Sequence, residues 1–375
     1  MRVLLHTPLK PPDSDVPSGD REMARGLQRL LRRLGHRVVM PALSRVAPGV
    51  PATDAHLGLE RQARRQAGRL IARWRALPAG HPERFDLWFT YHCYYRKPDW
   101  LGPIVTRALG IPYVLVEASH APRRAMGPTR LGHRAVERAL AAADLVLTVN
   151  PRDRAGVQAR LRPGARQAAL PPFIDIRPFA TMAAHDNDPP VLLSVGMMRT
   201  RDKLASYRVL AEALQRLADR RWQAVLVGDG RARAEVEALM APLGRRVRFA
   251  GAQPHAALPA LYGAADLYVW PAINEAYGMA FLEAQAAALP VVAGRTGGVP
   301  AVVADGVAGL LTPIGDAAAF ADAVARLLDD PERRRAMGQA ARRRVACQHD
   351  EAAAARALAS ALAGLRPGPD RRGRR

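Results

Sequence analysis

A chain of 375 residues, 49 % of them hydrophobic, is long enough for two domains with a core each, and such a composition excludes disorder except at the ends. The formal charge of +22 is uneven: residues 1–170 carry 29 Lys+Arg against 13 Asp+Glu, a net +16, and of the +6 on the remainder the last ten residues hold +4. Two distant cysteines, Cys93 and Cys347, exclude a CxxC zinc site and a disulfide framework, and no apolar run approaches the ~18 residues of a membrane span.

In chain order, Val3–Leu5 reads as a strand, and Met23, Leu27, Leu30, Leu31 and Leu34 recur at helical spacing up to Gly35. Strands are expected at Arg37–Met40, Asp86–Thr90, Tyr113–Glu117 and Leu145–Val149, with Arg130–Ala143 helical between the last two. Such alternation predicts a parallel sheet with helices on both faces. Prolines at 171, 172, 178, 189 and 190 mark a linker. The alternation restarts at Val191–Val195 and continues through Ala224–Val227, Val247–Ala250, Leu267–Trp270 and Val291–Ala293, then helices at Ala317–Leu328 and Glu332–Ala346. The organisation read from this is an α/β chain of two doubly wound domains. An N-terminal domain covers 1–170, a linker 171–190 and a C-terminal domain 191–346. A helix follows at 347–364, which can pack back on the N-terminal domain, and then a basic tail at 365–375.

Neither half has a GxGxxG after its first strand, so a simple dinucleotide fold is disfavoured. The second half offers another grip on a diphosphate. Gly196-Met197-Met198-Arg199-Thr200-Arg201-Asp202-Lys203 leaves a strand and enters a helix, where cations give charge-assisted hydrogen bonds. Lys203 stands out because the chain has 3 lysines against 53 arginines, and an ammonium is a point charge on a flexible stem. After Leu267–Trp270 come Glu275, Gly278 and Glu283; Gly278 allows close backbone approach, and the N–H groups of Gly278, Met279 and Ala280 make a helix N-terminus suited to an anion. Two ionised carboxylates accept hydrogen bonds and suit sugar and ribose hydroxyls. Gly297-Gly298 reads as a tight loop near ligand, and Gly228-Asp229-Gly230 as a weaker strand-end signal.

These segments resemble the retaining GT-B glycosyltransferases of family 4. Glu275 and Glu283 match the E-x7-E signature, Gly297-Gly298-Val299-Pro300 the GGxP loop, and Asp305-Gly306 with Gly309-Leu310-Leu311 the DGxxGLL run. The match is specific over 190–330 and only architectural over 1–170. The resemblance implies two Rossmann-like domains facing a central cleft, and a nucleoside-diphosphate sugar as donor. It implies that Glu275 holds donor-sugar hydroxyls, Glu283 binds the ribose, and Lys203 with a neighbouring arginine neutralises the diphosphate. Gly19, after Ser18, lets the first loop approach phosphates or acceptor. Gly196 and Gly228 line the same donor site. The sequence departs from the family at Met197, where an arginine is usual, so that role passes to Arg199 or Arg201. It departs also at Asp20 and Ala301. The family's N-terminal histidine corresponds to His120 or is displaced by Glu117, and His92 is a further acceptor-side candidate.

The resemblance thus implies hexosyl transfer with retention to an envelope glycan or glycolipid, with the departing phosphate supported by cations and a helix dipole. A catalytically silent sugar-nucleotide-binding protein is the alternative. No DxD-type pair marks the donor loops, so neither metal nor other cofactor is expected. Residues 57–77 place Leu59, Ala63, Ala67, Leu70, Ile71, Trp74 and Leu77 on one helical face and six arginines on the rest, the pattern of an interfacial helix or of a core helix with a solvated face. Codon bias explains arginine over lysine, but not a cation excess in one half. A cytoplasmic protein with peripheral contact to an anionic membrane is therefore expected. Nucleic acid is not expected as a partner, because no recognition motif accompanies the charge.

Overall fold

The computed structural model describes residues 1–16, 18–40, 53–179 and 186–365, without the side chains of 53–56. The chain divides into two units: Met1–Pro171 together with the described residues from Ala352 onward, and Pro172–Glu351.

The first unit contains β1 (Arg2–His6), α1 (Gly19–Arg33), β2 (Arg37–Val39), α2 (Thr53–Ala76), β3 (Leu87–Cys93), α3 (Gly102–Leu109), β4 (Tyr113–Ala118), α4 (Arg130–Ala142), β5 (Leu145–Thr148), α5 (Arg154–Gln158) and β6 (Arg166–Ala169). The strands form one parallel sheet in the order β2-β1-β3-β4-β5-β6. The fully buried Trp88, Phe89, Val114, Leu115 and Val146 show why these runs are apolar on both faces. At the head of α1 the Ser18 side chain accepts from the Arg21 N–H, and Asp20 and Glu22 complement the dipole. Met23, Leu27, Leu30 and Leu31 are buried, about 1.5–3 kcal/mol for each large side chain taken from water.

Of the two readings of residues 57–77, α2 bears out the core helix over the interfacial one. Ala63 and Ala67 are buried, and Leu70, Ile71 and Trp74 pack on the same core as Leu101 and Val136. The Trp74 indole donates to the Phe85 carbonyl at 3.1 Å. The apolar face packs on the protein interior, while the arginines lie on the solvent side.

The second unit contains β7 (Val191–Val195), α6 (Asp202–Gln215), β8 (Gln223–Val227), α7 (Arg233–Met240), β9 (Val247–Gly251), α8 (Leu258–Gly263), β10 (Leu267–Trp270), α9 (Met279–Ala286), β11 (Val291–Gly294), α10 (Val299–Val302), β12 (Gly309–Thr312), α11 (Ala317–Leu328) and α12 (Pro331–Gln348). Its sheet is parallel in the order β12-β11-β10-β7-β8-β9. From β7 the chain runs outward through β8 and β9, then returns to β10 on the other side. The β7/β10 seam is therefore the topological switch point, where ligands sit beyond the strands' carboxyl ends. The helix expected at 347–364 is interrupted. At the break the His349 carbonyl accepts from the Ile174 N–H at 2.9 Å, and α13 (Glu351–Leu362) begins. Past this point α13 joins the first unit, where Arg166 donates to the Ala361 carbonyl at 2.9 Å. No helix among the described residues is long and apolar enough to cross a membrane.

Candidate functional site

The loops after β7 and β10 meet at the switch point. The Lys203 ammonium, at the second residue of α6, donates to Glu275 Oε2 at 2.5 Å, both side chains being partly exposed. The same ammonium stands 5.2 Å from the centre of the Trp270 ring, within cation–π reach. Trp270 packs edge-on against Tyr207, whose hydroxyl donates to the Gly196 carbonyl at 3.0 Å. Burial pushes the Tyr207 phenol upward, so it stays a donor. Two further bonds tie the loops: the Ile273 N–H donates to Ser206 Oγ at 2.9 Å, and Asn274 to Asp202 at 2.8 Å. Ala272 (φ 58°) and Asn274 (φ 54°) lie in the left-handed region just before Glu275. Each costs roughly 1–3 kcal/mol, strain that marks functional segments.

The glycines explain how the loops pack so closely. Gly228 has φ 141°, and a Cβ there would lie 1.9 Å from the Gly196 carbonyl oxygen. Gly228 thus holds the β8 loop against the β7 loop; Gly196 itself has ordinary space for a Cβ. At Gly297 (φ 52°) a Cβ would fall 1.8 Å from the Glu275 carbonyl oxygen, and at Gly298 2.4 Å from that of Ala276. The paired glycine is the floor beneath the Glu275 loop. Asp305 accepts from the Leu311 N–H at 2.8 Å and pairs with Arg295, so the DGxxGLL segment is the turn into β12.

Gly278 (φ 76°) is the N-cap of α9 and supplies no side-chain cap to its first N–H groups. Met279 and Ala280 occupy the first two helical positions, so their N–H groups lie at the positive end of the dipole. Glu283, one turn on, is 7 % exposed. Its carboxylate accepts from the Tyr262 hydroxyl at 2.8 Å and faces His255 Nε2 at 3.3 Å. Burial first, and the Glu283 charge second, push the Tyr262 phenol well up. Arg199 is exposed in the loop after β7, and Arg201 is the strained N-cap of α6 at φ 65°.

In the first unit, Gly19 opens α1, with Asp20 beside it. His92 Nδ1 lies 3.8 Å from Asp20 and 3.9 Å from Glu117, and both His92 (φ 70°) and Glu117 (φ 57°) are left-handed. This group gathers at the carboxyl ends of β3 and β4, beside the first unit's own switch point. His120 is elsewhere: its side chain is 4 % exposed, packed on His133 with ring centres 4.9 Å apart and on Glu137. The structure therefore groups Lys203, Glu275, Gly278, Met279, Ala280 and Glu283 in the second unit, and sets His92, not His120, with Glu117 and Asp20.

Sequence reasoning missed Trp270, Tyr207, Tyr262 and His255. A tryptophan closing a buried strand immediately before the acidic loop was a usable signal for the first. The others come from segments with no motif.

Residues 180–344 match the family model described as glycosyl transferases group 1. The second unit is a group 1 glycosyltransferase domain. The chain is 43 % identical over 140 residues to a D-inositol 3-phosphate glycosyltransferase of Corynebacterium aurimucosum, covering 36 % of the present chain and 33 % of that protein. An alpha-D-kanosaminyltransferase of Streptomyces kanamyceticus is 34 % identical over 175 residues, 46 % of this chain and 45 % of that one. The chain thus aligns with less than half the length of these curated relatives. Among solved structures, a sucrose-phosphate synthase from Thermosynechococcus elongatus superposes with TM-score 0.72 at 22 % identity over 96 % of this chain and 98 % of that one. Anabaena HepE in complex with UDP and glucose gives 0.69 at 16 % identity over 97 % and 100 %. At such identities the likeness establishes the GT-B fold.

Proposed function

We propose that the protein is a retaining glycosyltransferase of family 4 that moves a hexosyl unit from a nucleoside-diphosphate sugar to an envelope glycan or glycolipid. The observation that carries this reading is the Lys203–Glu275 pair at 2.5 Å on the β7/β10 seam, in front of the uncapped N-terminus of α9. A diphosphate brings about two negative charges to a place that offers an ammonium, the exposed Arg199 and the positive end of a helix. Lys203 has three donors and spends one on Glu275. Glu275 keeps its second oxygen for donor-sugar hydroxyls, while Glu283, pinned by Tyr262 and His255, presents its remaining lone pairs to the ribose. As the glycosidic bond breaks, charge grows on the departing phosphate, and these fixed cations and dipoles stabilise it without reorganising. The departing phosphate takes the acceptor's proton, so no carboxylate nucleophile is needed. The cations already in place leave no task at the donor site for a metal.

His92, Glu117 and Asp20 supply the acceptor side. Anabaena HepE with UDP and glucose, and the sugar transferases named above, support the donor class. With Lys203, Glu275 and Glu283 all present, an active enzyme is favoured over a silent binding protein. The protein works in the cytoplasm, and the arginine face of α2, with the net +16 of residues 1–170, gives electrostatic contact with an anionic leaflet. Vesicles containing acidic lipid retain the protein at low salt and release it at high salt; binding to neither neutral nor acidic vesicles removes that part. The donor reading is tested by thermal shift against UDP, GDP, ADP and their sugars, with Lys203→Ala in parallel. One nucleotide stabilises the wild type and not the variant. No shift with any nucleotide, or equal shifts in both proteins, overturns it.

A further inference from the structure

The group around His120 has no task in the reading above. His120 lies in the loop after β4, His133 in the second turn of α4 and Glu137 one turn further, on the same face of that helix. The two imidazoles are 4 % and 2 % exposed, and Glu137 is at the edge with 33 %. One oxygen, Glu137 Oε1, lies 3.2 Å from His120 Nε2 and 3.5 Å from His133 Nε2. One potential ligand atom from each of the three residues falls within 4.8 Å of the other two. Arg160, 49 % exposed, brings its Nε to 3.2 Å from the same His120 nitrogen and 3.5 Å from the same Glu137 oxygen.

Hydrogen bonding does not account for this arrangement. An imidazole nitrogen carries either a lone pair or a proton. With a lone pair, His120 Nε2 accepts from Arg160 but opposes the Glu137 oxygen. With a proton, it donates to Glu137 but opposes the Arg160 N–H. Neither tautomer, nor the imidazolium, satisfies both neighbours. The His133 ring is no better explained: its Nδ1 is buried without a hydrogen-bond partner among the described residues, and its Nε2 faces the Glu137 carboxylate at 3.5 Å. A divalent cation resolves the conflict, because all three atoms then present lone pairs to one centre. Tetrahedral zinc with ligands near 2.0–2.1 Å sets them roughly 3.4 Å apart, close to two of the observed spacings.

We propose that His120, His133 and Glu137 bind a divalent transition-metal ion, zinc by ligand chemistry, with Arg160 occupying the cation's place in its absence. Two imidazoles and a carboxylate suit zinc, and displacement of the half-exposed Arg160 opens the fourth position to water. The ion pins the loop between β4 and α4 onto α4. It lies in the first unit, among residues separate from the proposed donor loops, and does not depend on the donor reading.

The test is titration of chelator-treated full-length protein with Co²⁺, followed by visible absorption, and with Zn²⁺, followed by calorimetry and thermal shift. The expected result is one equivalent bound with a tetrahedral cobalt spectrum and a raised Tm. Binding weakens at least about tenfold in Glu137→Gln and in His133→Ala, and tightens in Arg160→Ala, which removes the competing cation. Circular dichroism in chelator checks that each variant folds, and Glu137→Gln keeps the test decisive if His133→Ala does not. No cobalt spectrum in the wild type, an unchanged affinity in Glu137→Gln, or an affinity in Arg160→Ala no higher than the wild type's would overturn the proposal.

Discussion

Replacing Gly297 by alanine tests how the Glu275 loop is held. The added Cβ would lie 1.8 Å from the Glu275 carbonyl oxygen, and real Cβ contacts essentially never fall under 3.0 Å. The loop must therefore retreat by at least about 1.2 Å, and a displacement near 1 Å in a substrate-positioning group costs on the order of 10²-fold in rate. The backbone adds its own term, since φ is 52° and a left-handed alanine costs about 1–2 kcal/mol. Gly306→Ala separates the two effects: φ is 75° there, but nothing lies within 4 Å of the new Cβ. Both variants lose comparable backbone stability, Gly297→Ala more where the clash adds to it. Only Gly297→Ala loses sugar transfer or donor hydrolysis, by about two orders of magnitude. Equal activity of the two variants would refute the claim that the glycine pair sets the Glu275 position.

Tyr262→Phe removes a hydroxyl that donates to the buried Glu283 carboxylate. Chemical denaturation of the variant is expected to show a loss of about 1.5–3 kcal/mol, and a loss under 0.5 kcal/mol would contradict that pairing. Burial lowers the pKa of His6 in the first unit and of His349 in the second. Histidines held neutral by the fold contribute stability that is full above the unfolded value near 6.5 and declines as pH falls below it. Tm is expected to drop as pH falls below about 6.5, less steeply in His349→Gln, and a Tm that rises on acidification would refute the sign. Burial pushes the Cys93 thiol up to about 12, whereas Cys347 is exposed. A thiol reagent should therefore titrate one cysteine in the native protein and both after denaturation; two fast native thiols would contradict the burial of Cys93.

Much of this architecture was legible because burial on both faces of a parallel sheet writes continuous apolar runs. Val191–Val195, Leu267–Trp270 and Ala317–Leu328 coincide end for end with β7, β10 and α11. β6 escaped because Arg166-Gln167-Ala168-Ala169 has no apolar run; it is an edge strand held by pairing with β5. β12 passed as part of a glycine motif, although Gly309-Leu310-Leu311-Thr312 pairs with β11. For α2 the apolar face was read correctly and its destination stayed open between core and bilayer, since periodicity does not distinguish the two. Within the site, the acidic loop and the N-cap glycine were visible as strand, turn and helix in series. The partners of Glu283 come from 21 and 28 residues away, where no local pattern announces them. The cluster of His120 needed the fold to close a loop, although the i, i+4 spacing of His133 and Glu137 was a readable half of it.

The central claim is that a nucleoside diphosphate rests between Lys203 and the first turn of α9. A crystal structure with the nucleotide that stabilises the protein addresses it directly. A phosphate oxygen is expected within hydrogen-bond distance of Lys203 Nζ and of the Met279 or Ala280 amide. Nucleotide bound in the first unit, or with its phosphates pointing away from α9, would contradict it.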